Sequence, residues 1–246
     1  KILKENTFQA ACDFLALGLD PKKATFWIQG DVPQVTELTW ILSNVVNVGL
    51  LQRSTSYKDK ISQGLTSNAG LFTYPILMAS DILLFGADIV PVGKDQKQHL
   101  EMVRDMATRF NQTFREVFII PEADINHETQ LVSGIDGRKM SKSYDNTIPV
   151  FCDEKTLKKK VMSIVTDSTP VSKPKSIDSP IFQIYSLFLD ENEKLKLKNR
   201  FNAPGLKYGD VKKEIFERIW TYFKPYRTNR SHLINNKDHV ENILSN

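Results

Sequence analysis

The chain has 246 residues, 41% hydrophobic and 25% charged, with a net charge of +4, the balance of an ordinary globular protein of one or two domains. No apolar run approaches the roughly 18 residues that a membrane span requires, and the first twenty residues alternate polar and apolar at helical spacing instead of forming a signal peptide's apolar block, so a membrane-free, cytoplasmic chain is expected. The two cysteines, Cys12 and Cys152, match no metal-ligand spacing and no disulfide framework, and read as packing residues.

In chain order, "NTFQAACDFLALGLDP" has a helical period that stops at Gly18 and Pro21, and "ATFWIQ" (Ala24 to Gln29) is a short β-rich apolar run. "TELTWILSNVVNVGLL" repeats apolar residues at Leu38, Ile41, Leu42, Val45 and Val46, a helix period, and the polar "QRSTSYKDKISQGLTSNAG" after it reads as a long loop or frayed helix. Next come "YPILMASDILLFG" as a helix with Pro75 in its first turn, "DIVPV" as a strand, "DQKQHLEMVRDMATRF" as an amphipathic helix and "EVFII" as another strand. Strands alternating with helices predict an α/β fold: a Rossmann-like, doubly wound parallel sheet with ligands beyond the carboxyl ends of its strands. After Asn146 and a strand-like "IPVF" the segments are helical: "DEKTLKKKVMSIV", "PIFQIYSLFL", "ENEKLKLKNRF" and "DVKKEIFERIWTYFKPYR". Residues 1–150 are therefore expected to form the Rossmann-like domain, and residues 151–246 a second, all-helical one. Charge divides at the same place, with a net of −2 in 1–150 and +6 in 151–246. That split fits a catalytic half joined to a half that meets a polyanion, although lysine-rich helices are commonly just solvated.

Three stretches carry chemistry. On the helix containing Tyr74, the residues Tyr74, Met78, Asp81 and Phe85 fall within a stripe roughly 60° wide at 100° per residue. Ile76, Leu77, Ile82, Leu83 and Leu84 cover nearly everything else. Asp81 is thus expected in a helix buried all round, where an ionised carboxylate needs a donor. The donor is either a protein group or a flat aromatic ligand with a single N–H. In "DIVPVGKDQKQH", a strand ending at Val92, then Gly93, then a helix starting near Asp95 is the geometry in which backbone approaches a nucleotide closely; Asp95 with Gln98 also fits a capping box. His99 is expected on the helix surface, and the four histidines have no Ser or Cys beside them in a hydrolase triad. Finally, "DGRKMSKSYDN" (Asp136 to Asn146) sets Lys139 and Lys142 on a short, hydroxyl-rich, mobile segment. Such a segment is either a solvated loop or one that closes over polyphosphate.

Taken together, "GLFTYPILMASDILLF", "DIVPVGKDQKQHLEMVRDMATRFN" and "KMSKS" at Lys139 to Ser143 resemble the class I aminoacyl-tRNA synthetases, and among them the tryptophanyl-tRNA synthetase family. The resemblance runs through most of residues 10–170 and thins beyond. It implies activation of tryptophan with ATP and Mg²⁺ to the adenylate, transfer to tRNA(Trp), and a homodimer. The apolar surface of "TELTWILSNVVNV" is compatible with such an interface. By the same resemblance Asp81 reads the indole N–H, Tyr74 and Gln96 hold the ammonium group, and Met78 and Val92 wall the side-chain pocket. Gly93, Lys94 and Asp95 surround the adenosine ribose, Leu131 touches adenine, and Lys58 contacts phosphate. Lys139, Met140, Ser141, Lys142 and Ser143 bind ATP, with Lys139 and Lys142 acting on the phosphates. No protein metal site is implied.

One departure stands out: the family's His-x-Gly-His-like signature is absent, and Lys1 falls inside what should be a later helix. A missing N-terminal segment and a short missing C-terminal end are expected, and with them poor tryptophan activation by residues 1–246 alone. Two other functions fit parts of the pattern. Tyrosyl-tRNA synthetase shares the fold and KMSKS but should read a phenol hydroxyl with different side chains on this helix, and a non-catalytic RNA-binding relative would not need intact Asp81 and KMSKS.

Overall fold

The computed structural model describes residues 2–54, 57, 64, 66, 68–93, 96–125 and 132–245. They group into two units, Trp27–Gln130 and Lys1–Phe26 with Leu131–Asn246. This grouping by compactness puts the first helix and the KMSKS segment with the C-terminal helices, whereas the expected boundary near residue 150 follows element type.

In the unit Trp27–Gln130, a short 3₁₀ turn, Gln29–Asp31, leads to helices α2 (Gln34–Ser43) and α3 (Val48–Gln52). The single helix expected here breaks at residues 44–47. The Asn44 side chain turns back to the Trp40 carbonyl at 2.8 Å, the local competition with helix that disfavours Asn in a helix interior, and β-branched Val45 and Val46 follow. Helix α4 (Ala69–Leu83) begins earlier than expected because Asn68 caps it, its Oδ1 accepting from the Leu71 N–H at 2.8 Å. Pro75 therefore lies inside the helix and not in its first turn.

Strand β1 (Ile89–Pro91), helix α5 (Lys97–Thr113) and strand β2 (Glu122–Asp124) form a βαβ unit. The two strands are parallel, with Ile89 opposite Glu122 and Pro91 opposite Asp124. Leu38, Leu42, Ile76, Ala79, Leu83, Leu100, Val103 and Met106 interlock as the core of α2, α4 and α5.

"EVFII" alternates burial as a strand would, with Phe118 and Ile120 inward, yet joins no ladder among the described residues. Asn111 takes the place of a partner strand: its Oδ1 accepts from Val117 and Phe118 N–H at 3.0 Å each, and its Nδ2 donates to the Phe118 carbonyl at 2.8 Å. "ATFWIQ", whose last residue already belongs to the 3₁₀ turn, likewise joins no ladder among the described residues, and neither does "IPVF". The parallel sheet is thus realised as a two-stranded core of the α/β pattern.

In the other unit, α1 (Ile2–Ala16) ends before Gly18, whose φ of 108° takes the left-handed turn glycine permits. The remaining helices are α6 (Glu154–Met162), α7 (Pro180–Ser186), α8 (Glu191–Asn202), α9 (Tyr208–Tyr222), α10 (Lys224–Asn235) and α11 (Lys237–Ser245). "DVKKEIFERIWTYFKPYR" splits at Phe223 because Pro225 cannot donate into the preceding turn. Leu157, Val161, Ile181, Ile184, Phe201, Val211, Ile215 and Ile219 form one core of these helices. Ala11, Cys12, Leu15 and Val240 form another, where α1 packs on α10 and α11 and Arg230 pairs with Asp13.

Candidate active site

Helix α4 has a covered side and an open one. Pro75, Ile76, Ala79, Ser80, Ile82 and Leu83 are buried, whereas Tyr74, Leu77, Met78 and Asp81 are half-buried and Phe85 is exposed. The predicted stripe therefore exists, but the expected burial of α4 all round does not: the stripe is the side the core leaves uncovered. A carboxylate there is not sealed in, and it has a partner the sequence reading did not foresee. Gln29 Nε2 donates to both oxygens of Asp81, at 2.7 and 2.8 Å. The partner is neutral. An ionised carboxylate offers about four lone-pair sites, and among the described residues Gln29 alone hydrogen-bonds to it. Beside this pair, Trp27 packs against Phe85 with ring centroids 4.4 Å apart.

One to two turns earlier on α4, the Tyr74 hydroxyl is 2.7 Å from His99 Nε2. His99 is 6% exposed, so its expected surface position is corrected. It shares the inward face of α5 with Met102, Val103 and Met106, and the spacing 99, 102/103, 106 is itself the signal that would have found it. The Tyr74 contact lies in the first turn of α5, three residues past Gln96, whose N–H meets the Gly93 carbonyl at 2.9 Å and which flanks the helix start without a side-chain cap. Val92, half-buried just beyond β1, donates its N–H to the Asp124 carbonyl at 3.0 Å, so Val92 and Gly93 stand at the carboxyl end of the parallel pair. Lys58, Lys94, Asp95 and Leu131 lie outside the described residues.

In the other unit the KMSKS segment is tied at its base. Ser133 bridges to Lys139, the Met140 N–H donates to the Val132 carbonyl at 2.8 Å, and the Gly134 N–H donates to the Arg138 carbonyl at 2.7 Å. Gly137, with φ 84°, makes the turn between them. Lys142–Tyr144 form a 3₁₀ turn, the hydroxyls of Ser141 and Ser143 are 2.8 Å apart, and the Arg138 guanidinium lies 4.5 Å over the Tyr144 ring. Lys139 and Lys142 are both exposed. A cleft of about 300 Å³ lined by Ser133, Gly137, Arg138, Lys139, Gln183 and Leu187 runs beside the loop.

Asp136 organises the turn. It accepts from the Arg138 backbone at 3.0 Å and from the Arg138 guanidinium at 2.7 and 2.6 Å. It also accepts from Asn146 Nδ2 at 2.7 Å.

A parallel βαβ unit with open residues at its strand ends places the chain in the α/β class of fold. Residues 1–224 match the sequence profile of "tRNA synthetases class I (W and Y)", and the chain belongs to that family. It is 52% identical over 244 residues to the tryptophan–tRNA ligase of Fusobacterium nucleatum, covering 99% of this chain and 75% of that protein. With the tryptophan–tRNA ligase of Campylobacter jejuni it shares 50% identity over 243 residues, 98% of this chain and 76% of the other. A crystal structure of the Campylobacter jejuni tryptophanyl-tRNA synthetase complexed with ADP and tryptophan superposes with a TM-score of 0.89 at 50% identity, over 99% of this chain and 76% of that one.

The Asn146 and Arg138 hydrogen bonds hold the Asp136 carboxyl down to about 2. A folded-state value below the ordinary one of about 3.9 means that its contribution is complete above that pH and is lost as pH falls through the folded value. By NMR, the Asn146 side-chain amide signals should stay fixed from about pH 7 to about pH 4 and move only as pH falls on toward about 2. Movement near neutral pH would mean that the pair does not form.

Proposed function

We propose that this chain is a tryptophan–tRNA ligase, which activates tryptophan with ATP to tryptophanyl-adenylate and transfers it to tRNA(Trp). The single observation that carries the substrate assignment is Asp81, a half-open carboxylate on an aromatic and thioether helix face, held by a neutral amide. Its remaining lone pairs suit the one N–H of an indole ring, flanked by Met78 and Val92. Tyr74 and Gln96, at the corner where α4 meets the start of α5, take the ammonium group. Relatives near 50% identity, those of Fusobacterium nucleatum and Campylobacter jejuni among them, are tryptophan–tRNA ligases, which favours tryptophan over the tyrosine-specific and non-catalytic alternatives.

In the reaction the tryptophan carboxylate attacks the α-phosphorus of ATP, and pyrophosphate leaves with growing charge. Positioning and electrostatic stabilisation supply most of the acceleration. Lys139 and Lys142 set two ammonium groups on phosphate oxygens, Met140, Ser141 and Ser143 complete the loop's contact with ATP, and Gly93 lets the backbone approach the ribose. Among the described residues no group of three or more His, Cys, Asp or Glu could hold a metal ion. Mg²⁺ would then come with the triphosphate, whose oxygens suit it, and supply charge neutralisation there.

Residues 151–246, with their net charge of +6, serve as the tRNA-binding part. On α6 the exposed Lys155 and Lys159 face away from buried Leu157 and Val161, and exposed Lys158 reaches over the Phe216 ring, a basic surface that fits an RNA backbone. No described helix is long and apolar enough to cross a membrane; the cytoplasm is the place of work proposed for this enzyme. Trp40, 74% exposed, and Ile41 on α2, with Val48 on α3, are exposed apolar side chains that suit a homodimer interface.

Asp81→Asn should lower kcat/KM for tryptophan roughly 10- to 100-fold, the worth of a hydrogen bond to a charged group, with a smaller change in KM for ATP. Unchanged tryptophan kinetics in ATP–pyrophosphate exchange would remove the indole contact. Trp40→Asp should shift sedimentation from dimer toward monomer; an unaltered dimer would place the interface elsewhere.

A further inference from the structure

We infer that Asn146 is a positioning residue for the lysine loop, its side-chain amide fixing the backbone on both sides of Met140 so that Lys139 and Lys142 leave the loop base in defined directions. The inference rests on the reading of this loop as the phosphate-binding element.

Asn146 is 1% exposed, and its amide is fully used. Nδ2 donates to Asp136 Oδ1 at 2.7 Å and to the Lys139 carbonyl at 3.0 Å, while Oδ1 accepts from the Ser141 N–H at 2.7 Å. Its backbone carbonyl accepts from the Ile135 N–H at 3.0 Å. One side chain thus ties the turn before the motif to the residues flanking Met140. None of these bonds uses a lysine ammonium or a serine hydroxyl, so the groups that would meet phosphate are left out of the latch. The preceding residue is held as well: Asp145, with φ 48°, receives Lys160 Nζ on its carbonyl at 3.2 Å and on Oδ1 at 2.9 Å.

The side chain's identity is constrained from two sides. A carboxylate at this position would face Asp136 and the Lys139 carbonyl with no hydrogen to give, turning two attractions into repulsions. A Cβ on Gly134 would lie 2.2 Å from Asn146 Nδ2 and 2.5 Å from Cγ. Gly134 is therefore small because the amide occupies its side-chain space, and residues twelve apart in sequence serve one constraint.

The test compares full-length wild type with Asn146→Asp and Gly134→Ala, which disturb the same latch by charge and by bulk. Tryptic cleavage at Arg138, Lys139 and Lys142 reports the loop, thermal melting reports the fold, and tryptophan-dependent ATP–pyrophosphate exchange reports the chemistry. Both variants should be cut faster at the loop, and kcat should fall roughly tenfold or more with KM for tryptophan within about twofold, as expected when transition-state contacts alone are lost. Unchanged kcat in both folded variants, or a fall matched by the unfolded fraction, would overturn the inference while leaving the functional reading intact. Absence of tryptophan-dependent exchange in the wild type would overturn both.

Discussion

Gln29 meets the Asp81 carboxylate with an amide, and the choice of a neutral donor over a cation governs what the site can do. A lysine or arginine in that place would neutralise the carboxylate and fill its best lone pairs. An amide orients both oxygens while leaving the negative charge and half of the acceptor capacity unspent. Because α4 turns this residue to its uncovered side, the cost of holding the charge is moderated by partial solvation until a ligand arrives. An N–H donor that also excludes water then gains from an acceptor already in position, the condition under which one hydrogen bond discriminates strongly between substrates.

The same device recurs where the chain must hold backbone or charge without consuming a functional group. Asn146 pins the KMSKS base through peptide groups and Asp136, sparing the lysine ammoniums and serine hydroxyls. Asn111 stands in for a strand by satisfying Val117 and Phe118, so the chain entering β2 has its backbone groups met without a third strand. Amides carry donors and an acceptor and no charge, so they can be buried when all three are matched.

Periodicity made much of this legible. The helix carrying Tyr74, Met78, Asp81 and Phe85 as one stripe, the βαβ order, the helical second half and the KMSKS segment all follow from spacing and motif. Burial did not follow. A stripe of mixed aromatic, thioether and acidic residues looks as buried as the core beside it, and only the packing of α2 and α5 on the opposite side shows that α4 is open there. His99 was misplaced because a polar residue in an amphipathic helix was assigned to water, although its spacing to Val103 and Met106 puts it on the inward face. Gln29 and Asn146 were hidden for a different reason: each acts on a residue through the fold or through a tight turn, and a lone amide at the end of an apolar run or after a lysine motif has no periodic signature. "ATFWIQ" and "EVFII" join no ladder among the described residues; β propensity reports fit to a pleated surface and says nothing of whether a partner strand is present.

The most direct measurement is a crystal structure of the full-length chain with tryptophan bound. The account predicts the indole nitrogen within about 3 Å of an Asp81 oxygen, with the Gln29 amide still on the same carboxylate and the ring lying along Met78. A carboxylate swung toward bulk water, or one taken up by a protein cation with the indole nitrogen paired elsewhere, would contradict it.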